Sequence, residues 1–148
     1  MAEEQNRNVR DVMTANPKTV TEKDSVLDVA RIMRDQDTGV VPVVDGKKII
    51  GMVTDRDIVV RAIADGKDIK NVRVNDVMSK QVRTVSEDAS VHEVFDVMSG
   101  AQIRRVPVVN RNNEIVGIVS MKDLATETKE TNKVGKAVEE ISEGPANN

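Results

Sequence analysis

The 148-residue chain contains no cysteine, tryptophan or tyrosine, one phenylalanine, one histidine and four prolines. Without cysteine there is no disulfide framework, thiolate metal site or thiol nucleophile. A single aromatic ring leaves no platform on which single-stranded bases could stack, and a net charge of −3 gives no global basic signature, so nucleic acid is not an expected partner. No run of 18 apolar residues is present, which excludes a hydropathy-type membrane span. The opening residues, Met1 to Arg7, are polar with no apolar h-region, so no secretory signal is expected and a cytoplasmic location fits. Walker loops, Gly-x-Gly-x-x-Gly fingerprints and zinc-type clusters are missing. His92 has no partners at the spacing of a metal site or a catalytic triad. With no placed base, nucleophile or metal, an enzyme is not expected.

What is present is a duplication. Asp11-Val12-Met13 recurs as Asp76-Val77-Met78, Ser25-Val26 as Ser90-Val91, Met33 as Met98, and Val41-Pro42-Val43-Val44 as Val106-Pro107-Val108-Val109. The register then slips by one residue in the hairpin around Asn110–Asn113. Gly51-Met-Val-Thr54-Asp-Arg-Asp57 accordingly returns as Gly117-Ile-Val-Ser120-Met-Lys-Asp123. Two copies of this length are too few for a solenoid and each is too small for comfortable stability alone, which points to two α/β units that depend on one another.

Each copy predicts the same elements. Ser25 and Ser90 open amphipathic helices, with stripes Val26, Val29, Ala30, Met33 and Val91, Val94, Phe95, Met98, ended by Gly39 and Gly100. Two β-branched strands follow, joined in the first copy by the hairpin signal Asp45-Gly46. Pro42 within its run predicts an edge strand or an interrupted ladder. A second helix begins at Thr54, with Ile58, Val59, Ala62 and Ile63 on one face, and its counterpart begins at Ser120. The plan is a mixed α/β fold of two β-α-β-β-α repeats, at residues 9–66 and 74–130. A connector spans 67–73, and a tail at 131–148 carries the apolar stripe Val134, Ala137, Val138, Ile141.

Gly-x-Val-Thr/Ser-x-x-Asp at a strand-to-helix junction admits two readings. A phosphate at the helix start would gain N–H hydrogen bonds and dipole attraction, the hydroxyl of Thr54 or Ser120 could donate to it, and Asp57 or Asp123 could accept a ribose diol. Gly51 and Gly117 would then let the ligand approach the backbone. The other reading is an ordinary helix cap and a strand glycine required by packing.

Together these motifs resemble the CBS (cystathionine-β-synthase) domain pair, and Thr54-Asp-Arg-Asp57-Ile58 with Arg104-Arg105-Val106-Pro107 is similar to small stand-alone bacterial members of the hypoxic-response type. The resemblance implies two repeats related by a pseudo-two-fold axis, a regulatory ligand (AMP, ADP, ATP or S-adenosylmethionine) in place of a required cofactor, and an expected disc-like homodimer. It also implies an effector protein acting in trans. It implies crossed ligand sites. One would use Thr54, Arg56 and Asp57 with Val82, Arg83, Ile103, Arg104, Arg105 and Pro107; the other would use Ser120, Lys122 and Asp123 with Pro17, Lys18, Thr38, Gly39, Val40 and Pro42. The first set is richer in arginine and is expected to bind di- and triphosphates more tightly, unless these arginines serve only in surface ion pairs. A scaffolding homodimer with vestigial clefts is the alternative function.

Overall fold

A computed structural model describes residues 7–128. A 3-10 turn (Val9–Asp11) leads to β1 (Thr14–Ala15), α1 (Val26–Gln36), β2 (Val40–Asp45), β3 (Lys48–Thr54) and the short α2 (Asp55–Ile58). A π-helical turn (Val59–Ile63) continues α2. Then come α3 (Val74–Val77), β4 (Val85–Ser86), α4 (Val91–Ala101), β5 (Arg105–Val109), β6 (Ile115–Ser120) and α5 (Met121–Thr128). The expected tail stripe lies outside the described residues.

The helices form where the periodicity places them. Ser25 caps α1 by accepting the Asp28 N–H at 3.1 Å, and Ser90 caps α4 by accepting that of Glu93 at 3.1 Å. Their ends differ from expectation. Asp37 (φ 51°) and Gln102 (φ 55°) are the left-handed C-caps, so Gly39 lies beyond α1 and Gly100 lies inside α4. Local hydrogen bonding at the last turn decides this, each cap N–H returning to Met33 O or Met98 O.

The chain forms two compact units that do not coincide with the repeats. One comprises Pro17–Val82 with Asn113–Ile115; among the described residues the other contains the segment ending at Asn16, Arg83–Asn112 and the chain from Val116 to Thr128. Each core therefore takes the opening segment of the other repeat. Val9 and Val12 are buried with Val91, Val94, Phe95, Met98, Val106, Val108, Val119 and Leu124. Val74, Val77 and Met78 are buried with Val26, Val29, Val41, Val43, Val53, Ile58 and Ala62.

Within the later unit the sheet order is β1-β6-β5-β4, with β1 antiparallel to β6 (Thr14 opposite Ile118) and β4 parallel to β5 (Val85 opposite Val108). The earlier unit repeats this order through single bridges. Ser79 pairs antiparallel with Met52 of β3, β3 with β2, and β2 parallel with Val20 at Val43. Strand β2 is thus flanked on both sides and is not an edge. Pro42 is tolerated there because its carbonyl, which needs no N–H of its own, accepts the Val20 N–H at 3.1 Å. The hairpin turns at Gly46 (φ 66°), where a left-handed backbone suits glycine.

Candidate functional site

Each unit contains one strand-to-helix junction, built by the same local chemistry. In the earlier unit Thr54 N–H donates to Asp57 Oδ2 at 2.9 Å and Asp57 N–H to Thr54 Oγ1 at 3.1 Å, a complete capping box. In the later unit Ser120 N–H donates to Asp123 Oδ2 and Asp123 N–H to Ser120 Oγ, both at 3.0 Å. All four residues are half-buried. The cap reading of this string is therefore realised in full.

The cap does not consume these groups. Each carboxylate uses Oδ2 in the box, and its Oδ1 takes no part. Each hydroxyl accepts through a lone pair and keeps its own proton to donate. The box orients two groups that retain one acceptor and one donor. Backbone donors are another matter. In the earlier unit Asp55 N–H donates to Gly39 O at 3.0 Å and Arg56 N–H to Asp55 Oδ1 at 2.8 Å. Together with the box, these bonds occupy the N–H groups of residues 54 to 57. The N–H groups expected to be open at this helix start are thus bonded within the protein, which leaves side chains as the remaining donors there.

The strand opening of the same repeat lies against each junction. Val40 is opposite Thr54 in the ladder, and Thr38 Oγ1 donates to Val40 O at 3.2 Å. In the later unit Met121 N–H donates to Arg104 O at 2.8 Å, the bond equivalent to Asp55 with Gly39. Exposed Arg104 and half-buried Arg105 so border the junction of Ser120, exposed Lys122 and Asp123. Pro107 lies in β5, and Ile103 N–H returns to Met98 O at 3.0 Å. Pro17 and Lys18 lead into the Val20 bridge, and Arg83 leads into β4. The structure thus groups Thr54, Arg56 and Asp57 with Thr38, Gly39, Val40 and Pro42, and it groups Ser120, Lys122 and Asp123 with Ile103, Arg104, Arg105 and Pro107. Each crossed set expected from the resemblance divides between the two units, with Val82 in the earlier unit and Arg83 in the later one.

Gly51 and Gly117 have a packing role. A Cβ on Gly51 would stand 2.7 Å from Ser79 O and 3.0 Å from Met78 Cε, and one on Gly117 would meet the side chain of Met13. The space read as an approach for a ligand is filled by the methionines of the recurring Asp-Val-Met. That recurrence was the available signal for their role. Arg61 was missed altogether; its guanidinium donates to Val77 O at 3.1 Å and Met78 O at 3.2 Å, satisfying carbonyls at the end of α3. Among the described residues no group of three or more His, Cys, Asp or Glu is placed to hold a metal ion, and no helix is long and apolar enough to cross a membrane.

A family model of the CBS domain matches residues 9–63 and 74–130, the two repeats that carry these junctions. The chain belongs to the CBS domain family. A Bacillus subtilis relative, YlbB, is 40% identical over 138 residues, covering 92% of each chain. Among solved structures of this CBS family, Hypoxic Response Protein I with two coordinated zinc ions is similar over 81% of this chain and 98% of its own. It has a TM-score of 0.74 and 35% identity. The CBS domain pair of protein MJ0100, in complex with 5-methylthioadenosine and S-adenosyl-L-methionine, has a TM-score of 0.72 and 31% identity, covering 80% and 93%.

Proposed function

We propose that this CBS pair is a non-enzymatic regulatory module that binds adenosine-containing ligands (AMP, ADP, ATP or S-adenosylmethionine) through its two junctions, and that an effector protein reads the resulting conformation of a homodimer. The observation that carries this reading is the capping box that uses one carboxylate oxygen and leaves the hydroxyl proton, present twice. A fixed carboxylate accepts a ribose diol by charge-assisted hydrogen bonds, and the ligands of the MJ0100 pair, which is 31% identical, are adenosines. Each junction offers an oriented carboxylate acceptor and a hydroxyl donor, groups suited to recognition. Where backbone N–H groups are already bonded, phosphates fall to Arg56, Arg83, Arg104 and Arg105 on one side of the expected division and to Lys18 and Lys122 on the other. The ligand served by Thr54 and Asp57 is proposed to be the tighter di- or triphosphate site.

The test is a dye-based thermal shift with adenine nucleotides and S-adenosylmethionine on the full chain, Asp57→Ala and Asp123→Ala. A ligand at a hundred times its dissociation constant adds about 2.7 kcal/mol, roughly 5–15 °C here. Each Asp variant should weaken one site roughly ten- to a hundred-fold. Arg104→Ala should weaken the same site as Asp57→Ala; weakening that of Asp123→Ala instead would reverse the assignment of strands to carboxylates. A second reading has specific support: the boxes and the methionines beside Gly51 and Gly117 give a structural role to the glycine, the hydroxyl residue and the aspartate of each repeated string. No shift with any ligand at millimolar concentration would select that reading, a scaffold acting through protein partners.

A further inference from the structure

We propose that the groove between the turn Thr21–Asp24 and α3 binds a free basic amino acid, a small zwitterion that combines a guanidinium with a carboxylate; this ligand is additional to the adenosines proposed for the junctions. The groove has a volume of about 610 Å³ and is lined by Glu22, Lys23, Arg73, Asn75 and Asp76. That volume falls within the range of small-molecule sites, about 300–1,000 Å³. Its walls are fixed by local hydrogen bonds. Thr21 N–H donates to Asp24 Oδ2 at 2.8 Å, Val74 N–H to Asp24 O at 2.8 Å, Asn75 N–H to Glu22 O at 3.0 Å and Arg73 N–H to Asp76 Oδ2 at 3.2 Å. A ligand there meets a backbone that is already ordered, which lowers the entropic cost of binding.

The later unit shows what such a groove accepts. At the 65-residue offset that relates Asp11 to Asp76, Glu22 corresponds to Glu87, Lys23 to Asp88, Arg73 to Asn8 and Asn75 to Arg10. The backbone is the same in both places. Val9 N–H donates to Ala89 O at 2.9 Å, as Val74 N–H does to Asp24 O, and Val91 N–H donates to Arg7 O at 2.7 Å, as Val26 N–H does to Val72 O at 2.9 Å. In the later unit the Arg10 guanidinium reaches across to the turn, 3.8 Å from the Glu87 carboxylate and 3.3 Å from that of Asp88. In the earlier unit the shorter Asn75 stands in place of Arg10, and neither Glu22 nor Lys23 forms an ion pair among the described residues. Half-buried Glu22 thus keeps the carboxylate that accepts a guanidinium in the other unit, with a groove beside it.

The remaining exchanges set the other end of the ligand. Lys23 stands where the later unit has Asp88, and Arg73 where it has Asn8, so the groove without an internal guanidinium has two cations in its lining. A ligand that is only cationic is repelled by Lys23 and Arg73, and one that is only anionic by Glu22 and Asp76. A zwitterion satisfies both sets through charge-assisted hydrogen bonds, its guanidinium on Glu22 and its carboxylate on Lys23 and Arg73. The aliphatic stems of those two residues suit the methylenes between its charged ends.

The test is a titration of the isotope-labelled full chain with L-arginine at constant ionic strength, read by the amide chemical shifts of Lys23, Asn75 and Asp76. The proposal expects saturable shifts at these amides with a Kd of about 1 mM or tighter. L-Citrulline, which is neutral where arginine carries its guanidinium, and N-acetyl-L-arginine amide, which has no carboxylate, should each bind at least about five-fold more weakly. Glu22→Gln should weaken L-arginine by a similar factor. Asn75→Arg supplies from within the chain the group that Arg10 supplies in the later unit, and it should abolish the response. Shifts that do not saturate, citrulline binding as tightly as arginine, a Glu22→Gln chain that binds undiminished, or an Asn75→Arg chain that still binds each overturns the proposal. N-acetyl-L-arginine amide binding as tightly as L-arginine also overturns it, and assigns the groove to an arginine of a protein partner. Each variant's own spectrum reports whether it is folded. Nucleotide is absent from every arm, so failure here leaves the adenosine reading to its own thermal-shift test.

Discussion

The two strand-to-helix junctions share a backbone and differ in what surrounds it. Asp55 N–H on Gly39 O and Met121 N–H on Arg104 O are the same bond, and the two capping boxes agree to within about a tenth of an ångström. Yet one strand opens with Thr38-Gly39 and the other with Ile103-Arg104. One helix passes after four residues into an exposed apolar π-turn; the other runs from Met121 to Thr128 with Met121 and Leu124 buried. Where the backbone carries the joint through its own hydrogen bonds, the side chain at that position is released for another task. Gly39 and Arg104 can therefore differ while the backbone bond is kept.

The comparison can be broken most severely in the cores. Phe95 is 1% exposed, and the corresponding position in the first repeat is Ala30, only half-buried. The two cores are therefore filled differently. Phe95→Ala should cost about 3–5 kcal/mol in urea denaturation. A loss below about 1 kcal/mol would mean that the later core is not built on this ring.

The glycines sharpen it next. Gly51 faces the Ser79 carbonyl, part of a bridged backbone, whereas Gly117 faces the flexible side chain of Met13. Gly51→Ala should cost about 2–3 kcal/mol and Gly117→Ala about 1 kcal/mol, since a side chain relaxes more cheaply than a ladder. Addition of Met13→Ala should relieve the strain of Gly117→Ala, which a double-mutant cycle would detect as coupling. Equal costs would erase the distinction between the junctions.

The smallest effect is a gain. Gly100 lies inside α4, where an added Cβ meets nothing within 4 Å, so Gly100→Ala should raise stability by about 0.5–1 kcal/mol. Its counterpart Asp35 accepts from Arg34 Nε at 2.8 Å, which holds the Asp35 carboxyl below its ordinary range. The first repeat therefore has no equivalent gain to offer. A loss on Gly100→Ala would show that the helix ends before Gly100, as the bare sequence suggests.

Much of the fold was legible in the residues because its signals are local. Ser25, Ser90, Thr54 and Ser120 act as caps through bonds spanning three residues, and the hairpin turns where Asp45-Gly46 predicts. The misreadings occurred where a local rule met a distant neighbour. Pro42 suggests an edge or an interrupted ladder; Val20 on the far side of β2 excludes the edge, and the single bridge and the register shift after Val43 are the interruption. Gly39 and Gly100 look like helix stops, but Asp37 and Gln102 take the left-handed caps. Val59 and Ile63 satisfy a helical stripe, but a π-turn rotates them outward. At the junctions the choice between cap and ligand group was posed wrongly, since one carboxylate has two oxygens and one hydroxyl both accepts and donates.

The sequence by itself determined the duplication, the two helix-capping strings, the order of strands and helices, and the family. These follow from periodicity and short hydrogen bonds that need no knowledge of the rest of the chain. Only the tertiary structure decided that each core is closed by the opening segment of the other repeat, with Met78 beside Gly51 and Met13 beside Gly117. The same holds for the helix-start N–H groups of residues 54 to 57 already being bonded, and for Val59, Val60 and Ile63 lying outside the core. Burial depends on which distant segment arrives at a surface, and two repeats of the same pattern offer each opening segment two similar places to go. Pattern along the chain cannot distinguish them; packing in three dimensions does.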